Sequence, residues 1–325
     1  MGFGLKNYLK KITKRLRTNF NSCDGYSEKC LLITALAYAR TNSNLDKIKD
    51  LSAVEFSVYS QWGEDGIIDW LVSRIPSIPK TFVEFGVENY REANTRFLLN
   101  PKNWSGLVLD GSPSNILDIR SQDIYWRHSF NAQTAFIDSN NINNIINDAG
   151  ISGDIGLLSI DIDGNDYWVW EAIVAVSPAI VVIEYNAVFG DIHNITIPYH
   201  PDFDRTAGHY SNLYFGASIS ALIELGKEKG YRFIGTTSTG VNAFFVREDL
   251  AQYVFNAISE ISIYPSMIRE ARAKDGTLLY VDGEARARLI GTMPVLNVKS
   301  GETTSLTDFE TLYSDAWTKS IKRIL

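Results

Sequence analysis

Five acidic residues stand at or near the ends of short apolar runs. Glu84 lies in Thr81-Phe-Val-Glu-Phe-Gly86, and Asp110 closes Leu107-Val-Leu-Asp110. Asp161 and Asp163 close Leu157-Leu-Ser-Ile-Asp-Ile-Asp163, and Glu184 ends the next such run. In an open parallel sheet, ligands sit outside the carboxyl ends of the strands, so acids placed there face a binding crevice. Carboxylates in that position can accept ribose hydroxyls, hold a cation or take a proton.

Glu84 precedes Gly86 by two residues and leaves the same face of its strand. A glycine at the first strand-to-helix turn lets the backbone turn sharply and lets a ligand come close. A dinucleotide fingerprint needs further glycines, whereas residues 87–91 are Val-Glu-Asn-Tyr-Arg. Asp110 can accept both hydroxyls of a ribose. In Asp110-Gly-Ser-Pro, Ser112 is also placed to cap a helix with Pro113 at its first position. Asp138, after the third strand, either accepts an adenine amino group or caps the helix near 140, and both readings stay open.

Asp161 and Asp163 are two apart and share a face, Asp166 follows at a helix start, and Glu184 is followed by Asn186. Adjacent strands lie about 4.8 Å apart, so these acids can converge. Unpaired, they repel; a hard divalent ion such as Mg²⁺ on Asp161, Asp163 and Glu184 removes that repulsion. Capping by Asp163 and ion pairing by Glu184 form the alternative. The run is no EF-hand, because Gly164 is fourth and Ala172 twelfth in it. Of four histidines, His128 sits among strand-like residues, and His193, His200 and His209 fall in the long segment 187–213. Segments of that length often serve as lids or binding loops. His209, just before Tyr214-Phe-Gly-Ala-Ser218, is the candidate general base, with Asp161 as the second candidate. Trp62, Trp168, Tyr185 and Tyr210 are candidates to stack on a ring or to pack in the core.

The elements that must position these residues read as βαβ units from Thr81 onward. Strands are expected near 81–86, 106–110, 133–137, 155–162, 179–185, 231–236 and 242–247. Helices are expected near 27–41, 64–74, 91–99, 113–121, 139–148, 166–175 and 217–229. Only Thr236 to Val241 separate the last two strands, too few residues for a parallel crossover, so they form a hairpin. The expected fold is therefore α/β: a doubly wound, Rossmann-like, mostly parallel seven-stranded sheet with a C-terminal antiparallel hairpin. Residues 1–50 read as a helical extension, 51–250 as the main domain and 251–325 as a C-terminal extension of irregular pattern.

Several stretches together make a resemblance specific. They are Tyr59-Ser-Gln-Trp-Gly-Glu-Asp-Gly66, the Val-Glu-Phe-Gly and Leu-Asp-Gly turns, Asn141-Ile-Asn143, Ile160-Asp-Ile-Asp-Gly164 and Gly240-Val-Asn-Ala-Phe-Phe-Val-Arg247. Over roughly residues 55–250 the chain resembles the FkbM-like family of S-adenosylmethionine-dependent methyltransferases. The resemblance implies a class I methyltransferase fold and methylation of hydroxyls on sugars or glycosylated natural products. It further implies that Glu84, Gly86 and Asp110 hold the methionine and ribose parts of S-adenosylmethionine, with Gln61 bordering that pocket. The family's usual motif has Lys at the place of Ser159 and Glu-Gly-Ala-Glu in place of Asp163-Gly-Asn-Asp166, which puts this chain on a divergent branch.

Composition bounds the remaining classes. The chain has 325 residues, 45% of them hydrophobic, which is enough for a full core, and it has no apolar run of the about 18 residues a membrane span requires. Two cysteines, Cys23 and Cys30, without metal-ligand spacing read as reduced thiols of a cytoplasmic protein. No nucleic-acid partner is expected. The net charge of −7 is uneven: residues 1–20 carry six basic residues and no acid. Leu5, Leu9, Ile12, Leu16 and Phe20 recur there at helical spacing. This basic amphipathic helix either lies on the inner face of an anionic membrane or packs on the acidic body. The expected activity is O-methylation of a sugar or glycan acceptor with S-adenosylmethionine and Mg²⁺. A nicotinamide-dependent oxidoreductase and a noncatalytic scaffold are the competing classes; the oligomeric state is open.

Overall fold

The computed structural model describes residues 27–266 and 268–322. The expected basic helix at 1–20 and Cys23 lie outside them. The chain divides at residue 45 into two compact units. The described part of the first is one helix, α1, over 27–43, with Asn44 Nδ2 and Ser43 Oγ both donating to the Arg40 carbonyl at its end. Among the described residues no helix is long and apolar enough to cross a membrane.

The second unit begins with a 3₁₀ turn, Leu51–Val54, and helix α2, Glu64–Arg74. The chain then alternates: β1 (Thr81–Phe85), α3 (Arg96–Leu99), β2 (Ser105–Asp110), α4 (Pro113–Ser121), α5 (Asp123–Arg127), β3 (Phe130–Thr134), α6 (Ile142–Asp148), β4 (Gly153–Ile160), α7 (Asp166–Ala172) and β5 (Val176–Glu184). After a long excursion containing β6 (Ile195–Thr196) and α8 (Arg205–Gly208) come α9 (Ile219–Glu228), β7 (Tyr231–Thr236) and β8 (Asn242–Arg247). The main sheet has the order β3-β2-β1-β4-β5-β8-β7. Strands β1 to β5 are parallel, and β8 runs antiparallel to both β5 and β7. This is the expected doubly wound sheet with its antiparallel hairpin, the fold of class I methyltransferases.

Strand alternation sorts side chains onto two faces. Phe82, Val108 and Leu157 pack with α2 residues Ile67, Trp70 and Leu71 on one face. Val83, Phe85, Leu107, Leu109 and Leu158 pack on the other with Ile142, Ile146, Trp170 and Leu222. Burying side chains of this size contributes about 1.5–3 kcal/mol each.

Three elements differ from the sequence reading. Strand β3 lies three residues before its expected place. It is an edge strand in which Ala132 is the one fully buried residue, so apolar alternation carries little signal there. Helix α3 forms only from Arg96, because the backbone at 94–95 is tied to Glu84. Beyond 250 the described residues form α10 (Gln252–Phe255), α11 (Gly283–Leu289), β9 (Pro294–Asn297), β10 (Thr303–Ser305) and α12 (Asp315–Lys322). Strand β9 pairs with β10 on one side and β6 on the other, joining this region to the 187–213 segment in a second, three-stranded sheet. From Asp46 onward the described residues belong to the second compact unit.

Candidate functional site

At the carboxyl ends of β1 and β4 the two loops touch. Gly86 has φ +70°, and a Cβ there would lie 1.6 Å from the Asp161 carbonyl oxygen, so no side chain fits. Behind the turn, Glu84 is buried. Its Oε1 accepts from the Asn94 N–H at 2.7 Å, and its Oε2 accepts from the Thr95 N–H at 3.1 Å and Thr95 Oγ1 at 2.5 Å. Burial outweighs these bonds and pushes the carboxyl up to about 7. Glu84 thus shapes the loop after β1 from beneath while lining a cleft of about 300 Å³.

The motif at 59–66 builds another wall of this Glu84 cleft. Asp65 is buried, and its Oδ2 accepts from the N–H groups of Val58, Tyr59 and Ser60 at 2.6–3.1 Å. Desolvation nevertheless raises it to about 6. Glu64 accepts from the Trp62 N–H at 2.9 Å and from Asn242 Nδ2 at 2.8 Å. The stretch around Gln61 and Trp62 is therefore fastened to the start of β8. Gln61 and Trp62 both line the cleft, and Gln61 Nε2 points to Glu92 at 3.5 Å.

Asp110 ends β2 at a second cleft of about 590 Å³. Its Oδ1 accepts from the Ser112 N–H at 2.8 Å and Asn115 Nδ2 at 2.9 Å, and its Oδ2 accepts from the Glu88 N–H at 2.8 Å. Ser112 stands at the start of α4 as expected, but its hydroxyl bonds to Ser114 Oγ and does not cap. Leu109, Gly111, Phe136 and Ile137 continue the lining. The two clefts share a ridge made of Gly86, Glu88, Asp161, Asp163, Arg205 and Glu270.

On that ridge the acids converge. Asp161, Asp163 and Glu184 each offer an oxygen within 4.8 Å of the others. Burial drives the Asp161 carboxyl well above the ordinary range, and repulsion from Asp163 and Asp166 adds to it. Glu184 is raised likewise by burial and then by Asp161. Asp161 and Glu184 stand close enough that charge on both is disfavoured, so each raises the proton affinity of the other. Asp166 is spent on structure, accepting from the Ile162 N–H at 2.8 Å and the Gly164 N–H at 2.9 Å. Asn186 is also structural, donating to the Leu213 and Phe215 carbonyls.

Arg205 is a residue the sequence reading missed. Its Nη1 meets Asp163 Oδ1 at 2.5 Å, its Nη2 meets Glu270 Oε1 at 2.5 Å, its Nε donates to the Asn212 carbonyl, and its guanidinium lies 3.8 Å from the Phe215 ring centroid. Nothing in the spacing of Asp204-Arg205-Thr206 marks it, since the 187–213 segment brings it to the acids only in three dimensions. Asn242 and Glu64 were inside the stretches that carried the resemblance. Arg286 and Glu270 come from the C-terminal region, whose pattern was irregular.

Other expectations are corrected. His209 lines neither cleft, nor does any other histidine. Its Nδ1 accepts from the Ser211 N–H at 3.2 Å and bonds to Ser211 Oγ at 2.7 Å, and its ring packs on Tyr210. Burial and Lys274 push its pKa down. It is a turn-forming residue that stands outside both clefts. Asp138 also lines neither cleft; its Oδ1 accepts from the N–H groups of Asn140 and Asn141, so it anchors the turn into α6. Trp168 donates to the Ile197 carbonyl and packs against Tyr167 and Tyr199. Of the four aromatic candidates, Trp62 and Tyr185 line the Glu84 cleft.

The strand order is that of the class I methyltransferase fold. No protein-family model matches the chain, and no curated protein matches it in sequence. Among solved structures, it is similar to a S-adenosylmethionine-dependent methyltransferase from Clostridium acetobutylicum ATCC 824, with TM-score 0.37 and 10% identity over 57% of this chain and 90% of that one. It is also similar to the N-terminal domain of EvdMO1 with SAH bound (TM-score 0.36, 10% identity, 56% of this chain, 79% of that one). A third is the O-methyltransferase from Bacillus cereus in complex with SAH (TM-score 0.31, 14% identity, 49% and 67%). Likeness at this level carries no detail of the site, and the fold assignment rests on the strand order itself.

Proposed function

We propose that this chain is an FkbM-like methyltransferase that transfers a methyl group from S-adenosylmethionine to a hydroxyl of a sugar, glycan or glycosylated metabolite. The observation that carries this reading is the meeting of two clefts at Asp161. One is bordered by Asp110 and the Gly86 turn, and the other is lined by the neighbouring carboxyls Asp161 and Glu184.

S-adenosylmethionine, when bound, supplies an electrophilic methyl group. In this reading Asp110 receives the ribose hydroxyls and Ile137 with Phe136 flanks the adenine. Gly86 lets the backbone lie against the methionine portion. The acceptor hydroxyl enters the Glu84 cleft beside Asp161 and Glu184. Asp161 or Glu184 would take the hydroxyl proton as the oxygen accepts the methyl group and the thioether departs. Burial has raised the proton affinity of both carboxyls, which strengthens either as a base. Holding oxygen, carbon and sulfur in line supplies much of the remaining acceleration.

A second reading keeps Mg²⁺, favoured by the three carboxyls converging within 4.8 Å. Asp161 and Glu184 would hold the ion, and it would polarise the acceptor hydroxyl. Asp163 fits this role only if Arg205 releases it, and Arg205 already relieves part of the repulsion that called for a cation. Mg²⁺ titration of the native chain and Asp161→Asn separates the two: equal affinities exclude the ion from this site.

Incubation with tritium-labelled S-adenosylmethionine and a panel of oligosaccharides tests the function. Label is expected in the saccharide fraction and is expected to fall at least tenfold in Asp161→Asn. Transfer that is undiminished in that variant would remove Asp161 from the mechanism. Absence of cofactor binding would leave the noncatalytic scaffold as the better reading.

A further inference from the structure

Helix α1 carries more exposed apolar surface than a solvated helix needs. Of the sixteen large hydrophobic side chains exposed among the described residues, four belong to this one helix: Leu31, Ile33, Leu36 and Tyr38, at 47, 69, 38 and 59% exposure. Ala35, Ala39 and Asn42 are buried and mark its inner face. At about 100° per residue, Ile33, Leu36 and Ala37 fall on the opposite, outward side. Scattered exposed apolar residues are ordinary on a protein surface, whereas a row sharing one helix face marks an interaction site.

The charge on that outward side has one sign. Exposed Lys29 and Arg40 stand in one series with Ile33, Leu36 and Ala37, spaced i, i+4, i+7, i+8 and i+11. The single acid of α1, Glu28, falls about 120° away, toward the inner face. Upstream, residues 1–20 hold six basic residues and no acid. An apolar strip with cationic ends fits a bilayer interface, where the apolar side chains enter the acyl boundary and Lys or Arg stems run back to the headgroup phosphates. Antiparallel pairing of two copies would instead set Lys29 of one strip against Arg40 of the other. The helix lies along such a surface and does not cross it, since no helix among the described residues is long and apolar enough to span a membrane.

We propose that α1 docks this chain on a bilayer carrying anionic phospholipids, with Ile33, Leu36 and Ala37 in the acyl boundary and the basic ends of the strip at the headgroups. Leu31 and Tyr38 border the buried strip. The positive charge of residues 1–20 adds attraction to the same surface. None of the cleft residues takes part, so the proposal is independent of the methyltransferase reading.

The test is co-sedimentation of the full chain with vesicles of phosphatidylcholine alone and of phosphatidylcholine mixed with phosphatidylglycerol, at low and high salt. Binding is expected to the mixed vesicles and to be at least about tenfold weaker to the neutral ones and at high salt. The double variant Ile33→Ser, Leu36→Ser removes apolar surface without adding charge, and it is expected to lose about tenfold in affinity for the mixed vesicles. Both positions are exposed, so its thermal unfolding is expected to match that of the native chain. Absence of binding to the mixed vesicles, equal binding to both kinds, or undiminished binding by the double variant overturns the proposal. Sedimentation equilibrium without lipid supplies a further check: a native dimer that the double variant abolishes would assign the strip to a second copy and overturn it as well.

Discussion

Replacing Glu84 by glutamine sets two opposing effects against each other at the turn after β1. The carboxylate accepts from two backbone N–H groups and one hydroxyl, which favours its charged form, but burial is the larger cause and lifts the group from 4.5 to about 7. Between those two values the folded chain holds a proton that the unfolded chain has already released. Folding therefore loses support as pH rises from 4.5 through about 7, and the loss is complete above that. At about 1.4 kcal/mol per tenfold in proton affinity, the whole effect is about 3 kcal/mol, of which about 2.5 kcal/mol falls between pH 5 and pH 8. Glutamine resembles the protonated acid in shape and does not titrate in this range. Urea unfolding of the native chain and Glu84→Gln at pH 5 and pH 8 is expected to show the variant gaining about 2.5 kcal/mol relative to the native chain at the higher pH. A difference that stays constant within about 1 kcal/mol, or that moves against the variant, refutes the reasoning. In that case the backbone donors hold the group charged throughout and outweigh its burial.

Gly86→Ala forces a Cβ to 1.6 Å from the Asp161 carbonyl at a positive φ. It is expected to lower stability by more than about 3 kcal/mol, read by thermal unfolding; a near-native curve would mean the β1 and β4 loops do not touch. Arg205→Gln removes two ion pairs with exposed partners and a ring contact, for an expected loss of about 2 kcal/mol. Arg205 also lowers the proton affinity of Asp161 and Glu184, so the pH at which methyl transfer is half-maximal is expected to move upward in that variant. An unmoved profile would separate Arg205 from the carboxyl pair. His209→Ala is expected to leave the rate of methyl transfer within about twofold, since the ring lines neither cleft; a loss of a hundredfold would restore the histidine as base.

The strand ends were legible because buried parallel strands are short apolar runs, and an acid closing such a run has little reason to be there except to face a crevice. The hairpin was legible from the length of one loop, six residues being too few to cross a sheet. Strand β3 was displaced because an edge strand with one fully buried residue leaves the alternation almost blank. The site was harder to read. Glu84, Gly86, Asp110, Asp161, Asp163 and Glu184 all come to the cleft walls, but their hydrogen-bond duties depend on backbone groups that no pattern reveals. Asp138 shows the difficulty: capping and ligand binding ask for the same residue type at the same place, and only the turn geometry favours capping. Arg205 illustrates the larger gap. Its partners Asp163 and Glu270 are 42 and 65 residues away in sequence, and nothing local foretells that a loop and a C-terminal segment meet over the acids.

Calorimetric titration of S-adenosylhomocysteine into the native chain and Asp110→Asn tests the central claim most directly. One site per chain is expected, with at least tenfold weaker binding in the variant, because the ribose hydroxyls lose a charged acceptor. No heat at millimolar ligand, or equal affinity for both proteins, would contradict the assignment of the Asp110 cleft to the adenosyl group.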